Sequence, residues 1–223
     1  MYCRYGKWGR MEEFKLGKPA LVCRWRLSNG ELPLENRHMR ALAARKVGGE
    51  RVPATLVGWV KQRIEWGLDA SCEHPDGVLM LVVDEQGSSA LSLGAYQPLE
   101  NTSARELLTR AQGSRLEAES TGVAPEELWL AQDDGLVRCT SSEFSTSGAS
   151  SLIADLAHTM GLNVRRDAAL LNDIAWRGYA HAEAFLVSDE HGVVPSSDHG
   201  GERAQKFAKS YAKLLSRSLR RKT

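Results

Sequence analysis

Five of the six histidines, His38, His158, His181, His191 and His199, are the first candidates for chemistry as a metal set. Neither the H-A-E at 181–183 nor the gap between His191 and His199 has a recognised ligand spacing, so no metal is expected. The four cysteines stand at 3, 23, 72 and 139. They form no CxxC pair, which excludes a zinc knuckle and a thioredoxin-like dithiol. Cys139, at a strand end with no histidine in sequence context to activate it, reads as a small buried residue rather than a nucleophile. Asp133, Asp134 and Glu143 could serve as paired carboxylates, but a DDG turn accounts for the first two. The serine-rich loop TSSEFSTSGASS (140–151) has no G-x-S-x-G and no base at motif distance, which argues against a serine hydrolase. Arg105, near a helix start with Glu106 beside it, is either a solvated helix arginine or an anion-binding group.

The elements that must position these residues read as alternating strands and helices. ALVCRWRL has the alternation of a strand, and Ser28-Asn29-Gly30 is a hairpin turn into a second strand, ELPL. Asn36 caps a helix to about Lys46, stopped by Gly48-Gly49. Apolar residues at helical spacing predict a helix over 54–67. Gly77 to Val83 reads as a buried strand with Ala90 to Ala95 as its partner. In the second half, Ser103 caps a helix from Ala104 to Ser120, ended by Gly122. A strand 127–131 turns through Asp133-Asp134-Gly135 into 136–139. Helices follow at 152–160, 168–177 and 202–219, and strands at 163–165, 184–188 and 193–195.

A net charge of +1 gives no global field favouring nucleic acid or an acidic substrate. The charge is uneven, with eight Lys/Arg and no acid after Glu202, and six carboxylates without a base between Glu117 and Asp134. The C-terminal helix reads as amphipathic packing. Its basic tail is too short a patch to make nucleic acid the main partner. Scattered cysteines and no secretory leader suggest the cytoplasm, and no apolar run is long enough for membrane insertion.

Three stretches in order resemble the class IV pyridoxal-phosphate enzymes, which include branched-chain and D-amino-acid aminotransferases and aminodeoxychorismate lyase. LSNGELPLENRHMRAL is similar to that family's hairpin and histidine-opened helix. GVAPEELWLAQDDGLV is similar to its hairpin, and DIAWRGYAHAEAFLVSDEHGVVP to its C-terminal segment. Together they cover most of residues 20 to 200, and the aminodeoxychorismate lyases are closest in length and phrasing.

The resemblance implies four roles: a lysine that forms a Schiff base, a carboxylate at the pyridine nitrogen, a phosphate arginine, and hydroxyls and amides that hold the phosphate. Carried over by position, the lysine falls on Arg105, which stays protonated and forms no working imine. The carboxylate falls on Cys139 and the phosphate arginine on Ala41, with Arg40 and Arg45 close by. Ser188 alone matches a phosphate-side hydroxyl. No lysine occurs between Lys61 and Lys206.

The expected fold is therefore the two-lobed α/β (α+β) arrangement of that class. Residues 1–19 form a loose arm, 20–95 a small α+β domain and 104–223 a larger α/β domain. The expected function is a degenerate lyase-like protein without pyridoxal-phosphate catalysis, with Arg40, Arg105 and Ser188 holding a small anionic ligand between the lobes. Two alternatives stay open: an active pyridoxal-phosphate lyase or aminotransferase, and a basic-tailed adaptor for nucleic acid or an anionic surface. The resemblance also implies a homodimer.

Overall fold

The computed structural model describes residues 15–69, 71–132, 135–179 and 182–219. Most of the expected arm, as well as Asp133, Asp134 and His181, lies outside the described residues.

The small sheet pairs β1 (Pro19–Arg26) with β4 (Val78–Asp84), and β4 with β5 (Ser89–Gly94), all antiparallel. Period-two alternation sorts β1 into two faces. Leu21, Cys23 and Trp25 pack with Leu79, Leu81 and Val83 into a core closed by Met39, Leu42, Val60 and Ile64. The last four belong to α1 (Glu35–Ala44) and α2 (Ala54–Gly67). Val22, Arg24 and Arg26 leave on the opposite face, where the second sheet lies.

Three local readings are corrected here. The Asn29-Gly30 turn forms, with Ser28 and Glu31 exchanging backbone hydrogen bonds. However, ELPL does not continue as a strand. Pro33 has no N–H to give a ladder, and Leu34 swings to φ 58 straight into α1. The partner of β1 is β4, some fifty residues on. Asn36 does not cap α1 but lies inside it, its carbonyl accepting from Arg40 Nε at 3.2 Å. That helix stops before Lys46, and Gly48-Gly49 instead turn a short hairpin, β2 (Lys46–Val47) to β3 (Glu50–Arg51).

The large sheet runs β10-β9-β6-β7-β8. Its strands are β6 (Glu126–Gln132), β7 (Gly135–Arg138), β8 (Asn163–Arg166), β9 (Glu183–Ser188) and β10 (Gly192–Pro195). β7 and β8 are parallel, joined by α4 (Gly148–Thr159) as the crossover. Both faces are covered, so the strands are apolar on both sides. One face (Leu128, Leu130, Val137, Leu186) meets Leu107, Leu108 and Ala111 of α3 (Ala104–Thr121), with Leu171 and Ile174 of α5 (Leu170–Arg177). The other (Trp129, Leu136, Phe185, Val187) meets Ile153 of α4 and Phe207 and Tyr211 of α6 (Glu202–Leu219). There Trp129, Phe185 and Phe207 form a continuous ring stack.

The boundaries of α3 follow the sequence, with Ser103 Oγ accepting from Glu106 N–H and Gly122 closing the helix at φ 78. α4 starts four residues earlier than its apolar pattern suggests. Ser147 accepts from Ser150 N–H, so the end of the serine-rich loop is the first helical turn. Among the described residues no helix is long and apolar enough to cross a membrane.

Candidate functional site

The two sheets meet where β9 ends. Ser188 Oγ accepts from the backbone N–H of both Glu190 and His191 and so holds the turn at 188–191. That turn carries three consecutive side chains into the junction. Asp189, buried, accepts from Ala149 N–H at the start of α4 at 2.7 Å, and its other oxygen faces His38 Nδ1 of α1 at 3.5 Å. Its carbonyl accepts from Arg26 N–H of β1. One residue of the large sheet thus touches β1, α1 and α4. Burial alone would raise its pKa. His38, the Ala149 amide and Arg45 outweigh that and hold the carboxyl below the usual range. Gly148 is needed for this approach, because a Cβ there would lie 2.5 Å from His38 Nδ1.

Beside it lies a network of ions. Arg110 of α3 donates to both oxygens of Glu126, at 2.8 and 2.9 Å, and stands 3.3 Å from His191 Nε2. His191 Nδ1 is 3.3 Å from the Tyr96 hydroxyl. Arg26 lies over the Tyr96 ring at 3.5 Å, with a buried Nη1 that has no hydrogen-bond partner. Arg24 approaches Glu190 at 3.9 Å, and Arg45 bonds Glu117 at 3.2 Å. Arg24, Arg45 and Arg110, with the carboxylates of Glu117, Glu126, Asp189 and Glu190, border a cavity of about 300 Å³. That is the small end of the range for ligand sites.

Burial pushes the His191 imidazole below the ordinary histidine range. Arg110, Arg24 and Arg26 add to this, and Glu126 opposes it. A histidine kept neutral in the fold but free to protonate in the unfolded chain contributes stability above its unfolded pKa. That contribution is lost as pH falls below about 6.5. We expect the urea midpoint to drop with acidification below that point. The His191→Gln variant should show a shallower drop, and equal slopes would contradict the assignment. Glu190 is pushed up, by burial, and works in the opposite direction, so the comparison with the variant isolates His191.

Of the residues considered for the carried-over roles, the structure brings Ser188 and Arg45 to this cavity. Arg105 is exposed on the first turn of α3, and Arg40 is exposed on α1. Neither lines the cavity, so the expected Arg40–Arg105–Ser188 grouping does not assemble. The reason is helical phase: Ala104, Leu107 and Leu108 bury the inner face of α3 and leave Arg105 outside. Cys139 is buried in the core beneath α3, its thiol pushed up to about 12 chiefly by burial. Ala41 is likewise buried. No group of three or more His, Cys, Asp or Glu side chains among the described residues is gathered as a metal requires. The cavity residues Arg24, Arg110, Glu126 and Glu190 were missed. The alternation in β1 that buries Trp25 was the available signal for Arg24 and Arg26, whereas nothing local marks Arg110 or Glu126.

No family model and no curated protein matches this sequence. Solved structures do. A hypothetical aminotransferase from Mycobacterium tuberculosis, in its apo form, superposes with TM-score 0.59 at 10% identity, over 93% of this chain and 95% of that one. The fold is that of the class IV pyridoxal-phosphate enzymes. The T.th. branched-chain amino acid aminotransferase complexed with N-(5'-phosphopyridoxyl)-L-glutamate gives 0.56 at 11% identity, over 97% and 94%. The 4-amino-4-deoxychorismate lyase from Pseudomonas aeruginosa gives 0.53 at 16%, over 86% and 90%. Identities this low carry the fold and leave the chemistry to the site.

Proposed function

We propose that this chain is a degenerate class IV protein without pyridoxal-phosphate catalysis, its cleft turned into an ion-paired joint around a small ligand cavity. The observation that carries the reading is the wall of that cavity, which holds three arginines, four carboxylates and, among the described residues, no lysine. An imine with the cofactor needs an amine that can lose its proton, and arginine has none to offer. Lys46 is exposed on the β2 hairpin, and Lys61 is exposed on α2 beside Glu65. Neither borders the cavity.

Two further observations support it. The position that should hold a carboxylate is the buried thiol of Cys139, which stays neutral at physiological pH. The residue after Ser188, the one match to a phosphate-side hydroxyl, is an ionised aspartate already bonded to the nearby amide of Ala149. A phosphate dianion would meet a buried negative charge there, and opposing like charges disfavours binding. The cofactor therefore does not fit the residues present.

The occupant left for the cavity is a small anion held through Arg24, whose closest carboxylate, Glu190, is 3.9 Å away and which is more than half exposed. We carry the homodimer over from the resemblance, to be read by light scattering. The functional test is turnover with pyridoxal phosphate supplied. We expect no pyruvate from aminodeoxychorismate and no amino transfer above background. Turnover that survives purification and disappears in an Arg110→Ala variant would overturn the reading.

A further inference from the structure

We infer that the free edge of β5, with the apolar trench between it and α2, is the face on which a second copy of this chain docks, strand against strand about a two-fold axis. The inference lies outside the cleft. It rests on the homodimer proposed above and gives that dimer a face.

β5 is an outer strand of the small sheet. The bond from Asp84 N–H to the Ser88 carbonyl sets the alternation of its ladder with β4. Ala90, Ser92 and Gly94 therefore bond β4, while the N–H and C=O groups of Ser89, Leu91 and Leu93 point outward. Among the described residues no backbone group meets them. Sheets usually guard such an edge with charge, proline or a bulge. The outer strand β8 carries Arg165 and Arg166. By contrast β5, Ser-Ala-Leu-Ser-Leu-Gly, has no charge, no proline and an unbroken register on β4.

The side chains along that edge are apolar as well. Leu91 and Leu93 lie on the face that α2 packs against, beside Leu79 and Leu81 of β4, and α2 leaves them only partly covered. Trp59 borders two hollows in the trench. The hollow at the Leu93 end, about 470 Å³, is bordered by Trp66, Arg63 and Glu73. Trp66 is 74% exposed, so its indole projects from this end. The hollow at the Ser89 end, about 330 Å³, is lined by Val47, Val52, Leu56 and Val83, with Glu50 and Arg51 beside them. A cavity of about 150 Å³ already admits a benzene ring, so this one has room for an indole.

A projecting indole and an open apolar hollow thus sit at opposite ends of one unpaired strand, and that arrangement selects the occupant. When β5 pairs antiparallel with its own copy, the Leu93 end of each strand lies against the Ser89 end of the other. Each Trp66 is then carried to the other copy's hollow, as an isologous contact requires. The charges match under the same operation, Arg63 and Glu73 of one copy coming to the end that carries Glu50 and Arg51 of the other. The two small sheets join into one, and both β5 edges are closed.

The test is sedimentation velocity of the full chain over a range of concentrations, comparing wild type with Trp66→Glu and Leu91→Arg. The expected result is that wild type self-associates and each variant weakens this at least about tenfold, as losing a central aromatic contact does. Arg63→Glu should weaken it too, and adding Glu50→Arg should recover part of the loss. Trp66 is largely exposed, so Trp66→Glu keeps the fold, checked by circular dichroism, and decides alone if Leu91→Arg does not fold. Tetramers that Trp66→Glu cuts to dimers give the same support. Self-association with an unchanged dissociation constant in Trp66→Glu overturns the proposal and leaves the homodimer to another face. A wild type monomeric throughout the range overturns both, and leaves the trench to a foreign peptide strand. The absence of cofactor chemistry in the cleft is read by turnover and stands or falls separately.

Discussion

Replacing Arg138 by alanine should destabilise the protein by about 3–5 kcal/mol, the cost of stranding one member of a buried ion pair. Arg138 Nε and Nη2 meet the two oxygens of Glu127 at 2.9 and 2.8 Å, a planar fork-to-fork pairing. Both side chains are almost wholly withdrawn from water, at 6% and 1% exposure. The guanidinium also lies 5.2 Å from the Trp129 ring centroid and donates to Thr146. In the alanine variant the Glu127 carboxylate would remain charged in a dry site or take up a proton. Chemical denaturation should show the loss in midpoint with an unchanged slope. A loss below about 1 kcal/mol, the value of an exposed pair, would mean that water reaches Glu127.

Asp189→Asn is the second large effect, expected to cost about 2 kcal/mol through the loss of charge-assisted bonds. The amide keeps the size of the side chain and can still accept from Ala149 N–H, so the difference reports the charge. Its pH dependence is distinctive. The Asp189 carboxyl is held below its ordinary range, so its contribution is present above an unfolded pKa of about 3.9 and lost as pH falls through the folded value. Wild type and Asp189→Asn should therefore differ at neutral pH and converge in strong acid. A constant gap at every pH would assign the effect to packing.

Restoring the missing groups one by one is expected to fail, for reasons visible only in three dimensions. Arg105→Lys would place an amine on the outer face of α3. Cys139→Glu would bury a carboxylate among Leu107, Leu128 and Leu171. Ala41→Arg would force a guanidinium into a buried position.

The larger elements were legible because their signals are local. Ser103 and Gly122 delimit α3 by cap chemistry, and 127–131 and 184–188 read as the strands that β6 and β9 form. ELPL failed because Pro33 withholds an N–H, while the true partner of β1 lies far along the chain. The start of α4 was hidden in serines that looked like loop and act as a cap. The site was least legible. Counting along the family pattern ignored helical phase, so Arg105 and Arg40 landed on the outside. The groups that do meet, Arg110 with Glu126 and Asp189 with Ala149, are joined by tertiary approach that no spacing rule encodes.

The most direct test of the central claim is borohydride reduction of the wild-type protein saturated with pyridoxal phosphate, followed by peptide mapping. The expected result is a colourless protein before reduction, with no stoichiometric label on any peptide bordering the cavity and only trace labelling of exposed lysines. One cofactor fixed per chain on a lysine reaching that cavity, with a yellow protein beforehand, would contradict it.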